Sequence, residues 1–154
     1  MYISGGAMHF RGVPAVHHEF DEVWSLDPSA MDNADGWEVA SHIPQSPPNH
    51  VSARCYNGLV AVGEEELWVI GGSVSASQPS TSRPDDRVPM RSCWSYNTRT
   101  GGWSPLPDLL HARDACTAEY VAGRVWVTGG VNGTGENRTV VRNRSSLLKF
   151  SFPI

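Results

Sequence analysis

The chain is poor in basic charge. Its 154 residues include 12 Lys and Arg against 16 Asp and Glu, for a formal net charge of −4. This balance leaves no positive stripe of the kind that contacts a nucleic-acid backbone, so we expect no nucleic-acid partner. No apolar run approaches the roughly 20 residues that span a bilayer as a helix, and the amino terminus lacks the basic-then-apolar pattern of a secretory signal. We therefore expect no membrane partner either.

Cysteine is also scarce. The chain has three cysteines, Cys55, Cys93 and Cys116. An odd number without a C-x-x-C pair disfavours both a disulfide framework and a zinc site, so we expect reduced, buried thiols and a cytoplasmic protein. Three glycosylation sequons begin at Asn132, Asn137 and Asn143. We interpret them as turn chemistry, and an extracellular location is the alternative if a signal peptide lies upstream.

Sustained helical periodicity is absent as well, and short apolar segments are present instead. Three of these segments end in a pair of glycines: Gly5-Gly6, Gly71-Gly72 and Gly129-Gly130. Segments 67–70 and 125–128 are apolar at successive positions, which indicates strands buried on both faces. Glycine permits positive φ and close approach of other groups, and we expect the aromatic side chains of the repeat to pack over these pairs.

The glycine pairs are followed by further residues in a constant order. In the second unit these residues are Tyr96, Trp103 and Arg113. In the first unit they are Leu26, in the place of Tyr, then Trp37 and Arg54. In the third unit Phe150 stands in the place of Tyr96. Short strands, Gly and Pro punctuation and one aromatic motif per unit are typical of a β-propeller.

This ordered set resembles the kelch repeat, in which Gly-Gly follows the second strand, Tyr precedes Trp, and Arg opens the next unit. The resemblance covers nearly the whole chain and implies an all-β fold, an incomplete kelch-type β-propeller with four-stranded antiparallel blades. Since propellers usually close with 4–8 blades, we expect a fragment of a longer protein, with self-association through open blade edges as an alternative. The expected partial propeller of about two and a half blades covers 1–154, with a partial blade at 1–44, a blade at about 54–107 and a partial blade at 113–154.

The resemblance implies a protein–protein interaction module without catalysis. Among the partners it implies are ubiquitin-ligase substrates, cytoskeletal proteins and signalling proteins. In relatives that bind peptides, the pocket draws on side chains just after the repeat arginine and on loops leaving the second strand. These loops are 73–91 and 131–145 here, and the positions two residues after the arginines are Tyr56 and Ala115. Neither is an arginine, so a pocket for acidic peptides is not supported, whereas Tyr56 offers a rigid amphipathic contact.

A charged segment within the first of these loops supplies the other candidate partner contacts. They are Arg83, Asp85, Asp86 and Arg87. A charged loop held at both ends by strands of a rigid scaffold is a plausible recognition element, although a tolerated surface insertion has the same composition. We expect partner specificity to come from loops 73–91 and 131–145, with this charged segment and Tyr56 as the contacts.

The alternative function is that of an enzyme fragment, because kelch-like propellers also occur in a copper oxidase of galactose and in a sialic acid mutarotase. The sequence supplies no recognisable set of Tyr and His copper ligands. The densest group of potential metal ligands is His17-His18-Glu19, and adjacent histidines in an extended segment rarely bind one ion together. We therefore expect no catalytic residue, no metal and no cofactor.

Overall fold

The structure is a computed structural model that describes residues 1–10, 16–27, 29, 36–45, 53–75, 87–133, 139–140 and 146–148. The regular structure in these ranges consists of β-strands, and no α-helix occurs in them. Nothing helical in the described ranges is therefore long and apolar enough to cross a membrane. Three main antiparallel sheets follow one another along the chain, which confirms the predicted all-β propeller-type architecture.

The middle sheet has four antiparallel strands. In chain order they are β6 (Gly58–Val62), β7 (Glu66–Ile70), β10 (Cys93–Asn97) and β11 (Trp103–Leu106), and across the sheet they are arranged β11-β10-β7-β6. Tight turns join neighbouring strands. Gly63 has φ +66° between β6 and β7, and after β10 the Oδ1 of Asn97 accepts hydrogen bonds from the backbone nitrogens of Arg99 and Thr100 at 3.0 and 2.8 Å. Because turn geometry fixes the pairing register, these residues specify the two hairpins of the blade, β6–β7 and β10–β11.

The flanking sheets repeat part of this four-stranded arrangement. The first sheet has β1 (Tyr2–Ser4), β4 (Glu22–Leu26) and β5 (Trp37–His42), in that order. The third sheet has β12 (Asp114–Val121), β13 (Arg124–Asn132) and β15 (Ser146–Leu148), with β13 between the other two. The Gly-Gly pair follows β1 and β7 and lies within β13, so these three strands are equivalent.

Paired strands occur in the segments that follow the three Gly-Gly pairs, including the expected loops 73–91 and 131–145. They are β2 (Ala7–Phe10) with β3 (Val16–Glu19), β8 (Ser73–Ser75) with β9 (Arg87–Pro89), and the end of β13 with β14 (Thr139–Val140). We call these three pairs the connecting ribbons. Each ribbon connects two strands that are neighbours in one sheet. The two ends of the connecting segment are therefore already close enough to pair with each other.

The hydrophobic core lies between consecutive sheets. Trp68 and Ile70 of β7 pack towards the third sheet, where Val125 and Val127 are fully buried. Val69 of β7 instead belongs to the cluster shared with the first sheet. Since successive residues of a strand point to opposite faces, β7 contributes to both interfaces and is buried on both sides, as its sequence predicts.

The aromatic positions of the repeat pair across neighbouring strands. Tyr96 lies opposite Trp103, with ring centroids 4.9 Å apart, and Leu26 lies opposite Trp37 at the same place in the first sheet. This register confirms that Leu26 replaces the tyrosine of the motif. The Nε1 of Trp103 donates a hydrogen bond to Ser41 Oγ at 2.8 Å, so the pair also ties the second sheet to the first.

Trp126 departs from the expectation of burial. It occupies in β13 the place that Trp68 occupies in β7, yet it is 37% exposed whereas Trp68 is 1% exposed. The alternate residues Val125 and Val127 face the second sheet, so Trp126 lies on the opposite face. The prediction that both faces of 125–128 are buried is therefore wrong for this face.

Candidate recognition site

The repeat arginines join neighbouring sheets. The carbonyl oxygen of Arg54 accepts a hydrogen bond from the Gly6 nitrogen at 3.1 Å, and its Nη1 donates to the Gly71 carbonyl at 3.2 Å. Arg113 makes the same two contacts one unit later, at 3.0 and 3.1 Å. Each arginine therefore links the Gly-Gly pair of the preceding sheet, through its main chain, to that of its own sheet, through its side chain. We call these contacts the arginine junctions.

Glycine is required at the junctions for both its conformation and its size. Gly71 and Gly72 have φ of +57° and +99°, and the other two pairs also have positive φ. A Cβ built on Gly71 would lie 2.7 Å from the carbonyl oxygen of Arg113, well inside van der Waals contact. The atoms nearest to the Cβ positions built on Gly71 and Gly72 are main-chain oxygens and carbon atoms of neighbouring segments, and none of them belongs to an aromatic ring.

Arg54 is fully buried, and its charge is satisfied by main-chain dipoles. Beyond Gly71, its Nη1 lies 3.4 Å from both the carbonyl oxygen and the Oγ of Ser92. Burial lowers the pKa of the guanidinium to about 10, which leaves it charged at neutral pH. A buried cation held by several oxygens has one preferred position, so the junction fixes the backbone that follows it.

Two residues beyond each repeat arginine, the chain adopts a left-handed backbone conformation. Tyr56 has φ +56° and Ala115 has φ +51°. Both residues are exposed, and the Ala115 nitrogen donates a hydrogen bond to the Tyr56 carbonyl at 2.8 Å. Non-glycine residues in this conformation are uncommon and occur preferentially at functional sites. We call the surface formed by Tyr56 and Ala115 the recognition rim.

Arg87 supports the tyrosine of this rim. Its guanidinium carbon lies 4.6 Å from the centroid of the Tyr56 ring, and its Nη1 contacts the Sγ of Cys55. Arg87 is 4% exposed, whereas Tyr56 is 55% exposed. The cation–π contact therefore holds one face of the ring against the protein and leaves the rest of the ring in solvent.

The predicted partner contacts differ in where they lie. Arg83, Asp85 and Asp86 fall outside the described residues. Tyr56 is on the exposed rim, and Arg87 is the first residue of β9 and lies beneath Tyr56. The sequence predicts Arg87 as a partner contact in a charged loop, and nothing in the run 83–87 marks Arg87 as the residue at which pairing with β8 begins.

Asn57 is a structural residue that sequence reasoning missed. Its Nδ2 donates a hydrogen bond to the Ser4 Oγ of the first sheet at 2.8 Å. A Cβ built on Gly72 would lie 3.0 Å from the Cβ of Asn57. Asn57 therefore fills the space between the first two sheets at the base of the rim. It follows Tyr56 directly but matches no position of the motif, so no sequence signal identifies it.

The three cysteines are buried and form no disulfide. Burial raises the pKa of Cys93 to about 11 and also raises the pKa of Cys116, so both are protonated at neutral pH. Cys55 is 2% exposed and contacts Arg87. Cys93 and Cys116 belong to the hydrophobic cluster between the second and third sheets, where they act as small apolar side chains.

Within the described ranges, no group of three or more His, Cys, Asp or Glu side chains is arranged to hold a metal ion. His17 and His18 occupy successive positions of β3, opposite His9 and Met8. The Nδ1 of His42 lies 3.1 Å from a carboxylate oxygen of Asp21, and this pair is exposed. It is a surface contact between two side chains.

Comparison with known proteins identifies one repeat directly. A family model described as Kelch motif matches residues 54–110. A putative F-box/kelch-repeat protein of Arabidopsis thaliana is 38% identical over 88 residues, which are 57% of this chain and 21% of that protein. A second F-box/kelch-repeat protein of that plant is 25% identical over 137 residues, 82% of this chain and 34% of the relative.

An animal protein is also similar to this chain. Kelch repeat and BTB domain-containing protein 8 of Homo sapiens is 26% identical over 98 residues, which are 63% of this chain and 15% of that protein. This chain thus corresponds to between 15% and 34% of the length of these three relatives. Their names describe domains and repeats and state no enzymatic activity.

Proposed function

Because this chain is a kelch-repeat protein, we propose that it binds a partner protein through the recognition rim and the connecting ribbons next to it. The presence of kelch repeats in F-box and BTB relatives supports a protein–protein interaction module rather than an enzyme. The observation that carries the proposal is the exposed Tyr56, held in a left-handed conformation above a buried arginine.

The energetics of Tyr56 favour a role in binding. A left-handed backbone costs a residue with a side chain at least about 1 kcal/mol, and glycine avoids this cost. Tyr56 is 55% exposed, so the partial burial of its side chain recovers only part of that free energy. Tyrosine is enriched among the residues that dominate binding energy at protein interfaces, because it offers a large contact area at low entropic cost. The choice of tyrosine is therefore explained better by a partner than by folding.

The chemistry of the rim indicates the kind of partner segment that it accepts. Ala115 is exposed, its nitrogen bonds to the Tyr56 carbonyl, and its side chain is only a methyl group, so it occupies little of the rim surface. The only cation described at Tyr56, Arg87, is buried against the ring and Cys55. We therefore propose that the rim binds a segment with a bulky apolar or aromatic side chain, which packs on the open face of Tyr56.

A selection from a phage-displayed library of random peptides tests this proposal. Peptides are selected on the wild-type chain and then measured against Tyr56→Ala. We expect selected peptides rich in aromatic and large aliphatic residues. We also expect the substitution to weaken their binding about 30-fold, the ratio that a loss of about 2 kcal/mol produces.

Tyr120 provides the matched control. It is also an exposed tyrosine, at 38%, but it lies near the other end of β12. Tyr120→Ala should leave the peptide affinities unchanged. The proposal is wrong if the selected peptides bind Tyr56→Ala as tightly as the wild type, or if both substitutions weaken binding equally. Copper-dependent oxidation of galactose, or faster equilibration of sialic acid anomers, would instead favour an enzyme.

We also propose a cytoplasmic location. Support comes from the three cysteines, which are buried and form no disulfide, as expected of a protein in a reducing compartment. Microscopy of the tagged full-length protein tests the location. Glycan attached to Asn132, Asn137 or Asn143, detected as a mass lost on treatment with a glycosidase, would place the protein in the secretory pathway instead.

Self-association is a second proposal, and exposed apolar residues on the two outer sheets support it. Ile3 and Val39 are 49% and 43% exposed on the first sheet, and Val121 and Trp126 are 51% and 37% exposed on the third. An open groove of about 590 Å³ adjoins the last two. Sedimentation of the purified chain should then give a discrete dimer or trimer that dissociates on dilution. A monomer at all concentrations would exclude this assembly.

A further inference from the structure

The chain contains two Asn-Gly dipeptides in different structural settings. Asn57-Gly58 enters a buried strand, and Asn132-Gly133 lies at the end of β13 in the third connecting ribbon. We propose that Asn132 is a site of spontaneous deamidation and isoaspartate formation, and that the fold protects Asn57 from the same reaction. The modification requires no enzyme and only water as a co-reactant.

The local geometry at Asn132 brings the reacting groups together. The Gly133 nitrogen lies 2.8 Å from the side-chain oxygen of Asn132, so the nucleophile is already next to the amide carbon that it must attack. Gly133 has φ +93° and lacks a side chain that would obstruct the approach. Both residues are partly exposed, so hydroxide and water reach them.

The reaction proceeds in two steps. Hydroxide removes the proton from the Gly133 nitrogen, which attacks Cγ of Asn132 and forms a carbon–nitrogen bond. The bond between Cγ and Nδ2 breaks, and ammonia leaves with a proton from water, which gives a cyclic imide. Water then opens either of the two imide bonds, which yields aspartate or isoaspartate at position 132.

Asn57 is held in a conformation that opposes this ring closure. Its Nδ2 donates a hydrogen bond to Ser4 Oγ at 2.8 Å, which fixes the side chain towards the first sheet. Gly58 is buried and pairs with Ile70, and even a single added Cβ there would lie 3.2 Å from Ala118. The rotation of the Gly58 peptide that the imide needs therefore requires local opening of β6.

The modification would change the ribbon that continues β13. Asn132 pairs with Thr139, and isoaspartate inserts an additional carbon into the main chain at this position. The pairing with the two-residue strand β14 would then shift, and a negative charge would appear at residue 132. The product also lacks the asparagine of the first sequon, so the change permanently removes that acceptor.

Incubation of the native chain in mildly alkaline buffer made with heavy-oxygen water tests the inference. Peptide mapping then measures uptake of the heavy oxygen and isoaspartate content at both sites. We expect at least about tenfold more modification at Asn132 than at Asn57, a ratio that corresponds to about 1.4 kcal/mol of local opening. In denaturant, the two sites should react at about the same rate, since the dipeptide is the same.

Two further measurements make the test decisive. Asn132→Gln must remove the signal at 132, because its longer side chain forms the imide ring far more slowly, and must leave the low signal at 57 unchanged. Ser4→Ala removes the hydrogen bond of Asn57 and should raise the native rate at 57 towards that at 132. Equal native rates at the two asparagines, or a native rate at Asn132 more than about tenfold below its unfolded rate, would overturn the proposal.

Discussion

Replacing Gly71 by alanine isolates the steric requirement of the arginine junction. The new Cβ would lie 2.7 Å from the Arg113 carbonyl oxygen and 3.2 Å from a methyl carbon of Leu109. The carbonyl oxygen belongs to the main chain and accepts a hydrogen bond from the Gly72 nitrogen at 3.0 Å, so it cannot move without weakening that bond. The substitution therefore strains the connection between the second and third sheets.

The magnitude follows from three contributions. The left-handed φ of +57° costs alanine about 1 kcal/mol relative to glycine. The steric conflict adds about 1–3 kcal/mol, the range for overpacked sites. Weakening a buried main-chain hydrogen bond adds about 1 kcal/mol. Gly71→Ala should therefore destabilise the chain by about 3–5 kcal/mol, which lowers the melting temperature by about 6–20 °C for a domain of this size.

Gly63→Ala is the matched control. Gly63 has φ +66°, close to that of Gly71, but a Cβ built there meets no atom within 4 Å. It therefore shares the conformational cost and lacks the steric one, so we expect a loss of only about 1 kcal/mol. Thermal and urea unfolding, followed by tryptophan fluorescence, measure both variants. Equal losses for the two substitutions would refute the junction argument, because conformation alone would then account for the effect.

Three further predictions concern side chains that lie between neighbouring sheets. Trp103→Phe removes the 2.8 Å hydrogen bond to Ser41 while keeping the ring, and urea unfolding should show a loss of about 1 kcal/mol. Arg54→Lys should cost about 1–3 kcal/mol in the same assay, because an ammonium group does not reproduce the directed guanidinium contacts. The control is Arg99→Lys at an exposed position, which should change the free energy of unfolding by less than about 0.5 kcal/mol. Burial raises the pKa of Cys93 from 9.0 to about 11, so its contribution to stability is complete below pH 9 and is lost as the pH rises towards 11. Between about pH 8 and about pH 10, the wild type should therefore lose about 1 kcal/mol more stability than Cys93→Ala, and parallel pH profiles would contradict this.

The sequence was most informative at positions where a backbone conformation or a specific contact requires one residue type. The glycine pairs, Tyr96 opposite Trp103 and the repeat arginines are each required by a backbone conformation, a cross-strand contact or a buried donor. Such requirements recur once per blade and leave an ordered pattern that a single sequence reveals. The fold class and the equivalence of Leu26 with Tyr96 could therefore be predicted.

The candidate site was less predictable, because it depends on the residue at which strand pairing begins again after a long insertion. Tyr56 could be chosen from its position after Arg54, but its left-handed backbone and its packing on Arg87 could not. The burial of Arg87 depends on the pairing of Ser75 with Arg87 across a ribbon whose register no local signal specifies. The exposure of Trp126 likewise depends on tertiary packing, since its local sequence matches that of the buried Trp68.

The arginine junctions have a consequence for the order in which the protein assembles. The backbone nitrogen and oxygen of Arg54 bond to Phe20 and Gly6, which precede it in the chain, whereas its guanidinium bonds to Gly71 and Ser92, which follow it. During synthesis on the ribosome, the main chain of each arginine can thus dock onto a sheet that already exists. Its side chain then offers a donor to the sheet that emerges next. One residue thus connects a sheet that leaves the ribosome earlier to a sheet that leaves it later.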